Sequence, residues 1–167
     1  MNQLKILHIQ SDIGDSGGIS NYISNFIKKS NKRFNLFVTC SKQKKERIFA
    51  SDLYKKSQII LIDIDRYNFF NVFINAFRLS KTIKDNSIDL LHAHALRSGL
   101  LACINKIFFS TKYIYTNHGL RFTQKKGILK KILFYFLEVL IVLFSNYTCC
   151  IRTSDHKKLT TSPLNFL

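Results

Sequence analysis

The sequence predicts an α/β domain built on a doubly wound, Rossmann-like parallel sheet of about six strands, with helices on both faces. Three observations carry this. Short apolar runs alternate along the whole chain with helical patterns of roughly 10–15 residues, the mark of βαβ units. The runs are nearly continuous in apolar residues, as strands covered on both faces require. No internal repeat, proline-rich linker or low-complexity tract interrupts them, and Pro163 is the only proline, so 167 residues read as one domain with a sizeable core.

The elements follow in order. Strands are expected at 4–10, 34–40, 58–63, 88–92, 112–117 and 147–151. Helices are expected at 18–30, 43–56, 69–84, 95–106 and 126–145, with a last one from 154. Residues 128–144 are almost wholly apolar, but Lys130, Lys131 and Glu138 interrupt them. A spanning helix needs about 20 apolar residues, so this stretch is too short and too charged to cross a bilayer. Two roles remain open for it: a helix buried against the sheet, or one whose lysine-rich start (Lys125, Lys126, Lys130, Lys131) rests on an anionic membrane surface. Both roles can hold together, since the lysines lie at one end.

Composition narrows the classes. Hydrophobic residues make up 46% and aromatics 13%, which excludes a disordered chain. Lys and Arg number 26 against 10 Asp and Glu, a net charge of +16. That charge points to anionic partners, although a chain this rich in Lys, Asn, Ile and Phe also carries the stamp of compositional bias. Nucleic acid is not expected as a partner, because the lysines are scattered and no RRM, KH or helix-turn-helix pattern appears. Residues 1–10 carry a strand pattern rather than the apolar segment of a secretory leader, and the four cysteines lack framework spacing. Reduced thiols and a cytoplasmic location are therefore expected, with the inner face of the plasma membrane as a docking surface.

The chemistry gathers where strands end. The loop after the first strand, Ser11 to Gly18, ends in Gly17-Gly18 and opens a helix. Glycines let a ligand approach the backbone, and the helix N-terminus offers unpaired N–H groups to a phosphate or diphosphate. It is neither a G-x-G-x-x-G fingerprint nor a P-loop, and an ordinary tight βα turn is the alternative. The fourth strand ends in His92-Ala93-His94 and the fifth in Asn117-His118-Gly119. His92 is expected as a satisfied histidine within the strand, whereas His94 and His118 are expected past their strands, facing a polar substrate. No metal is expected: the His92 and His94 rings are taken to diverge to opposite faces, and no Asp, Glu or Cys completes a ligand set. In the doubly wound order 3-2-1-4-5 all three loops converge at one edge.

These residues resemble the N-terminal domain of glycosyltransferase family 4, the retaining GT-B enzymes. The matching stretches are Ile6-Leu7-His8-Ile9 with Ser16-Gly17-Gly18-Ile19-Ser20, Ile88 to His94 with Gly99, and Tyr115-Thr116-Asn117-His118-Gly119. The resemblance spans about residues 4 to 158. It implies a sugar transferred from a nucleotide diphosphate sugar to a glycan or lipid-linked acceptor in lipopolysaccharide or capsule biosynthesis, without metal or other cofactor. It implies His118 as the catalytic residue at the reacting sugar, and Gly17, Gly18, His94, Asn117 and Gly119 as substrate-binding. The family's second, nucleotide-sugar domain with its E-x7-E pair is missing, since Glu46 and Glu138 are the only glutamates. Residues 1–167 thus read as an acceptor-side domain without its C-terminal domain, inactive alone and needing a separate one. The alternative is a non-catalytic truncated domain that binds a phosphorylated ligand, a membrane surface or a partner domain.

Overall fold

The structure is a computed structural model that describes residues 3–10, 18–30, 34–40, 57–62, 69–124 and 127–160. Among these, six parallel strands form one sheet: β1 (Leu4–Ile9), β2 (Phe34–Cys40), β3 (Gln58–Leu61), β4 (Leu90–His94), β5 (Tyr113–Asn117) and β6 (Tyr147–Cys150). Their order is β3-β2-β1-β4-β5-β6. The order reverses between β1 and β4, which places the switch point where the motif loops leave the sheet. The helices are α1 (Gly18–Lys29), α2 (Phe69–Asn86), α3 (Ala95–Phe109), α4 (Ile128–Phe144) and α5 (Thr153–Thr160). The helix expected at 43–56 lies outside the described residues.

Period-two alternation divides the sheet into two packed faces. Ile6, Leu36 and Val38 point to one side and meet Ile23 and Ile27 of α1. Leu7, Ile9, Leu91, Ala93, Tyr113 and Tyr115 point to the other, against Leu79 of α2, Leu101 of α3 and Ile141 of α4. Each such Leu or Ile contributes about 1.5–3 kcal/mol when fully buried. Gly99 shows how tightly the second face closes. A Cβ there would meet the Tyr115 ring at 2.8 Å and the Ile141 Cγ2 at 2.9 Å, so α3 can approach β5 and α4 only without a side chain.

β4 begins and ends two residues later than the apolar run suggests. Ser87 adopts a left-handed conformation (φ 51°), and Ile88 N–H donates back to the Ile83 carbonyl at 2.9 Å. These residues close α2 and cannot pair as strand. The Asp89 carboxylate then accepts from Lys5 N–H at 2.8 Å, tying the start of β4 to β1. The shift matters for function, because it makes His94 the last strand residue instead of a loop residue.

Helix α4, expected either to be buried against the sheet or to rest its lysine-rich start on a membrane surface, packs one side on the core and leaves the other exposed. Glu138 and Ile141 are buried, and Phe134, Leu137 and Val142 pack on the core. The outer side carries Leu129 (80% exposed), Phe136 (63%) and Leu143 (75%), with Lys130 and Lys131 in the first turn. Lys125 and Lys126 lie outside the described residues. No helix among the described residues is long and apolar enough to cross a membrane.

Candidate functional site

Four of the five histidines of the chain gather at the carboxyl ends of β1, β4 and β5, all on the face covered by α1. Register and alternation bring them there. His8 stands opposite His92 across the β1–β4 pair, and His94 stands opposite Thr116 across β4–β5. His92 and His94 lie two apart and therefore share a face, with ring centroids 4.2 Å apart. The expectation that they diverge is corrected by that same period of two. His118, two beyond Thr116, continues the row. Tyr22 of α1 caps it, its ring edge-on to His94 at 5.7 Å and to His118 at 5.5 Å.

The rings form a hydrogen-bonded chain. His8 Nδ1 lies 3.0 Å from His94 Nε2, and His94 Nδ1 lies 3.2 Å from His118 Nε2. His92 Nε2 pairs with the Thr116 hydroxyl at 2.8 Å, the satisfied role expected of it. His94 is buried, a correction to its expected place past the strand, whereas His118 is half-buried. The turn that holds His94 is strained: Ala95, the first residue of α3, sits at φ 63°, a conformation that costs a side-chain-bearing residue about 1–2 kcal/mol. That strain lets α3 leave the sheet immediately after His94.

Burial keeps the cluster neutral. It lowers His92 to about 4, helped by the repulsion of a charge on His118, and lowers His118 itself to about 4. His8 and His94 are held well below the ordinary histidine range by burial first and by neighbouring histidine charge second. Ligand nitrogens of His8, His92 and His94 lie within 4.8 Å of one another, the spacing of a metal set. Among the described residues both nitrogens of His94, Nδ1 of His8 and Nε2 of His92 are engaged in hydrogen bonds, and the set holds no carboxylate.

Asn117 points the other way. As the neighbour of His118 along the strand it faces the opposite side of the sheet, where it is buried. Its Nδ2 donates to Glu138 Oε2 at 3.2 Å, and its Oδ1 accepts from Gly119 N–H at 2.7 Å. Tyr115 O–H donates to the same Glu138 oxygen at 2.8 Å. Asn117 thus braces the loop from beneath, with its side chain engaged inside the domain. Burial pushes Glu138 up to about 7, against the opposing pull of these hydrogen bonds and of Arg121. The sequence marked Glu138 only as an interruption of an apolar helix, and a lone acid on the packed face of such a helix was the available signal. His8 was missed because one polar residue inside an apolar strand carries no site signal until the register pairs it with His92.

Gly119 has φ 136°, with open space where a Cβ would stand, so its glycine is required by backbone conformation. Gly18 opens α1, also with open space around it, and no acid occupies the first turn of that helix. Gly17 lies outside the described residues. The strand ends therefore combine a helix N-terminus suited to an anion with neutral imidazoles suited to directional hydrogen bonds.

Comparison with known proteins identifies the family of this fold. The family model described as "Glycosyl transferase 4-like" matches residues 14–152. The chain is 29% identical over 161 residues to the O-antigen biosynthesis glycosyltransferase WbnH of Escherichia coli, covering 95% of this chain and 44% of that protein. It therefore spans less than half the length of that relative. Among solved structures, the fold is similar to sucrose-phosphate synthase from Thermosynechococcus elongatus (TM-score 0.67, 12% identity, 94% of this chain and 44% of that one). It is also similar to MurG from Acinetobacter baumannii (TM-score 0.60, 10% identity, 89% and 42%). With a family model matched across most of its length on the predicted sheet, the chain belongs to the glycosyl transferase 4-like family.

Proposed function

We propose that this domain is the acceptor-side half of a retaining glycosyltransferase that moves a sugar from a nucleotide diphosphate sugar to a glycan or lipid-linked acceptor in cell-surface polysaccharide synthesis. The observation that carries this is the convergence of the Gly18 helix start, His94 and His118-Gly119 at one switch point, in a chain related to an O-antigen glycosyltransferase. In transfer, the bond from the anomeric carbon to the diphosphate oxygen breaks, a bond to an acceptor hydroxyl oxygen forms, and the hydroxyl proton passes to the departing diphosphate. Negative charge grows on the departing diphosphate, which the Gly17-Gly18 loop and the α1 N-terminus suit. His118 hydrogen-bonds at the transferred sugar, by side chain or backbone, while Gly119 frees the backbone to present it. His94 shapes the acceptor side through His118. We further propose that transfer needs no resident metal. Mg²⁺ is held through carboxylates, whereas the described histidine cluster at the strand ends contains no carboxylate.

A protein carrying this domain together with the remaining length seen in the relative, offered a panel of nucleotide diphosphate sugars and a lipid-linked acceptor, should release nucleoside diphosphate. The product should keep the donor's anomeric configuration, and EDTA should leave the rate unchanged. An inverted product or a rate abolished by EDTA overturns the retaining, metal-independent assignment, and no release in any pairing overturns transfer itself.

The exposed outer side of α4 favours a second element: docking on an anionic membrane surface near a lipid-linked acceptor, from the cytoplasmic side. Its apolar side chains would reach the headgroup boundary beside Lys130 and Lys131, with Lys125 and Lys126 just before them. Each basic residue near such a surface contributes about 1 kcal/mol, and salt screens it as the Debye length shrinks from about 8 Å to about 3 Å. Flotation should show binding to anionic vesicles that about 1 M salt removes. Equal binding to neutral vesicles would assign the attraction to apolar insertion instead.

A further inference from the structure

We propose that His94, itself held by His8, is a positioning residue that fixes the proton of neutral His118 on Nδ1, so that His118 meets its ligand as a hydrogen-bond donor. This deepens the proposed transfer reaction and rests on it for the ligand's identity, while the proton placement stands on the ring geometry.

Each neutral imidazole carries one N–H and one lone pair. Both nitrogens of His94 are committed, Nε2 to His8 and Nδ1 to His118. Only two arrangements satisfy both contacts. In one, protons sit on every Nδ1: His8 donates to His94, His94 donates to His118, and His118 keeps an Nδ1–H. In the other, protons sit on every Nε2: His118 donates to His94, His94 donates to His8, and His8 keeps an Nε2–H. The far end of the chain decides between them. Among the described residues His8 Nε2 is buried with no hydrogen-bond partner, and the His8 ring packs against Phe26 at 5.0 Å. The second arrangement would strand an N–H donor in the core, and orphaned buried N–H groups are rare because nothing replaces their lost water. The first leaves only a bare lone pair there. Burial of all three rings keeps a second proton away near neutral pH, so one proton per ring is the correct count.

The consequence lies at the open end. Among the described residues His118 has no hydrogen bond besides that to His94, so its Nδ1 is the nitrogen left for a ligand. A donor there suits a sugar hydroxyl oxygen or a diphosphate oxygen and rejects a group that can only donate.

Long-range ¹H–¹⁵N correlation spectra of the 167-residue chain, labelled on histidine and recorded near neutral pH without substrate, distinguish the two tautomers directly. His118 is expected as Nδ1–H. In His94→Phe, which keeps a ring in place but removes the donor, the His118 signals should move to a tautomer mixture. In His94→Gln, whose amide can still donate to His118 Nε2, Nδ1–H should persist. An Nε2–H signature for His118 in the unsubstituted chain overturns the proposal, and so does a His118 signal that His94→Phe leaves unmoved. The unsubstituted spectrum decides even where a variant fails to fold. Because no substrate is present, failure here is separate from failure of the transfer assignment, which the nucleoside diphosphate release measures.

Discussion

Lowering the pH from 7 toward about 4.5 is expected to cost this domain several kcal/mol of stability and to bring it close to unfolding. His8, His92, His94 and His118 all have folded pKa values below their ordinary 6.5. A depressed group contributes stability that is present above the unfolded pKa and is lost as the pH falls through the folded one. The window therefore opens near 6.5 and runs down to about 4 for His92. His92 alone corresponds to about 3 kcal/mol. His8 and His94 add to it because burial first and the charge of a neighbouring ring second disfavour their protonated forms, and His118, which keeps contact with water, adds less. Glu138 works in the opposite sense. Raised by burial from 4.5 to about 7, it contributes stability that is fully present below 4.5 and lost as the pH rises through 7. One such group cannot offset four histidines, so the acid branch dominates. Urea midpoints followed by far-UV circular dichroism should fall steadily below about pH 6.5. In Glu138→Gln, which removes that opposing contribution, the fall toward acid pH should be steeper. A midpoint that stays flat across the acid window would show that the cluster is hydrated and not held neutral by burial.

His118→Ala, in a protein carrying this domain and the remaining length of its relatives, is expected to slow sugar transfer by about 10²–10³, or on the order of 3–4 kcal/mol in the barrier. The same change should leave the fold nearly intact. His118 is half-buried, and its removal orphans the His94 Nδ1 donor, a loss of about 1–3 kcal/mol that water entering the vacated space reduces. At about 1 kcal/mol, the thermal midpoint of a domain this size moves by roughly 2–4 °C. A large rate effect with a small stability effect marks a group that acts on the ligand. A backbone contribution at His118 would survive the substitution and lessen the rate loss. If the variant melts far earlier while activity per folded molecule is unchanged, His118 is a packing residue and the site assignment fails.

What could be read in advance was whatever depends on neighbours along the chain. The alternation of apolar runs and helical patterns set the six strands and the five described helices within a few residues, because burial on both faces leaves a local trace at those elements. Gly18 at the start of α1, the turn after β4 and Gly119 were legible for the same reason: each lies where the backbone must change direction beyond a strand. The exception at β4 is also local in cause. Ile88 reads as strand by hydrophobicity, yet it closes α2 by a hydrogen bond to the Ile83 carbonyl that composition does not display.

The sequence by itself determined the fold class, the order of the elements and the sheet edge at which chemistry collects. Only the tertiary structure decided which side chains share that edge. His8 enters the cluster because β1 pairs with β4 in one register, Asn117 leaves it because consecutive strand residues face opposite sides, and Glu138 reaches Asn117 because α4 packs over β5. The physical reason is the same in each case. A strand's alternation is a property of its own residues, but what a side chain meets is set by strands and helices that lie far away in sequence, and their register is fixed by packing the whole core at once.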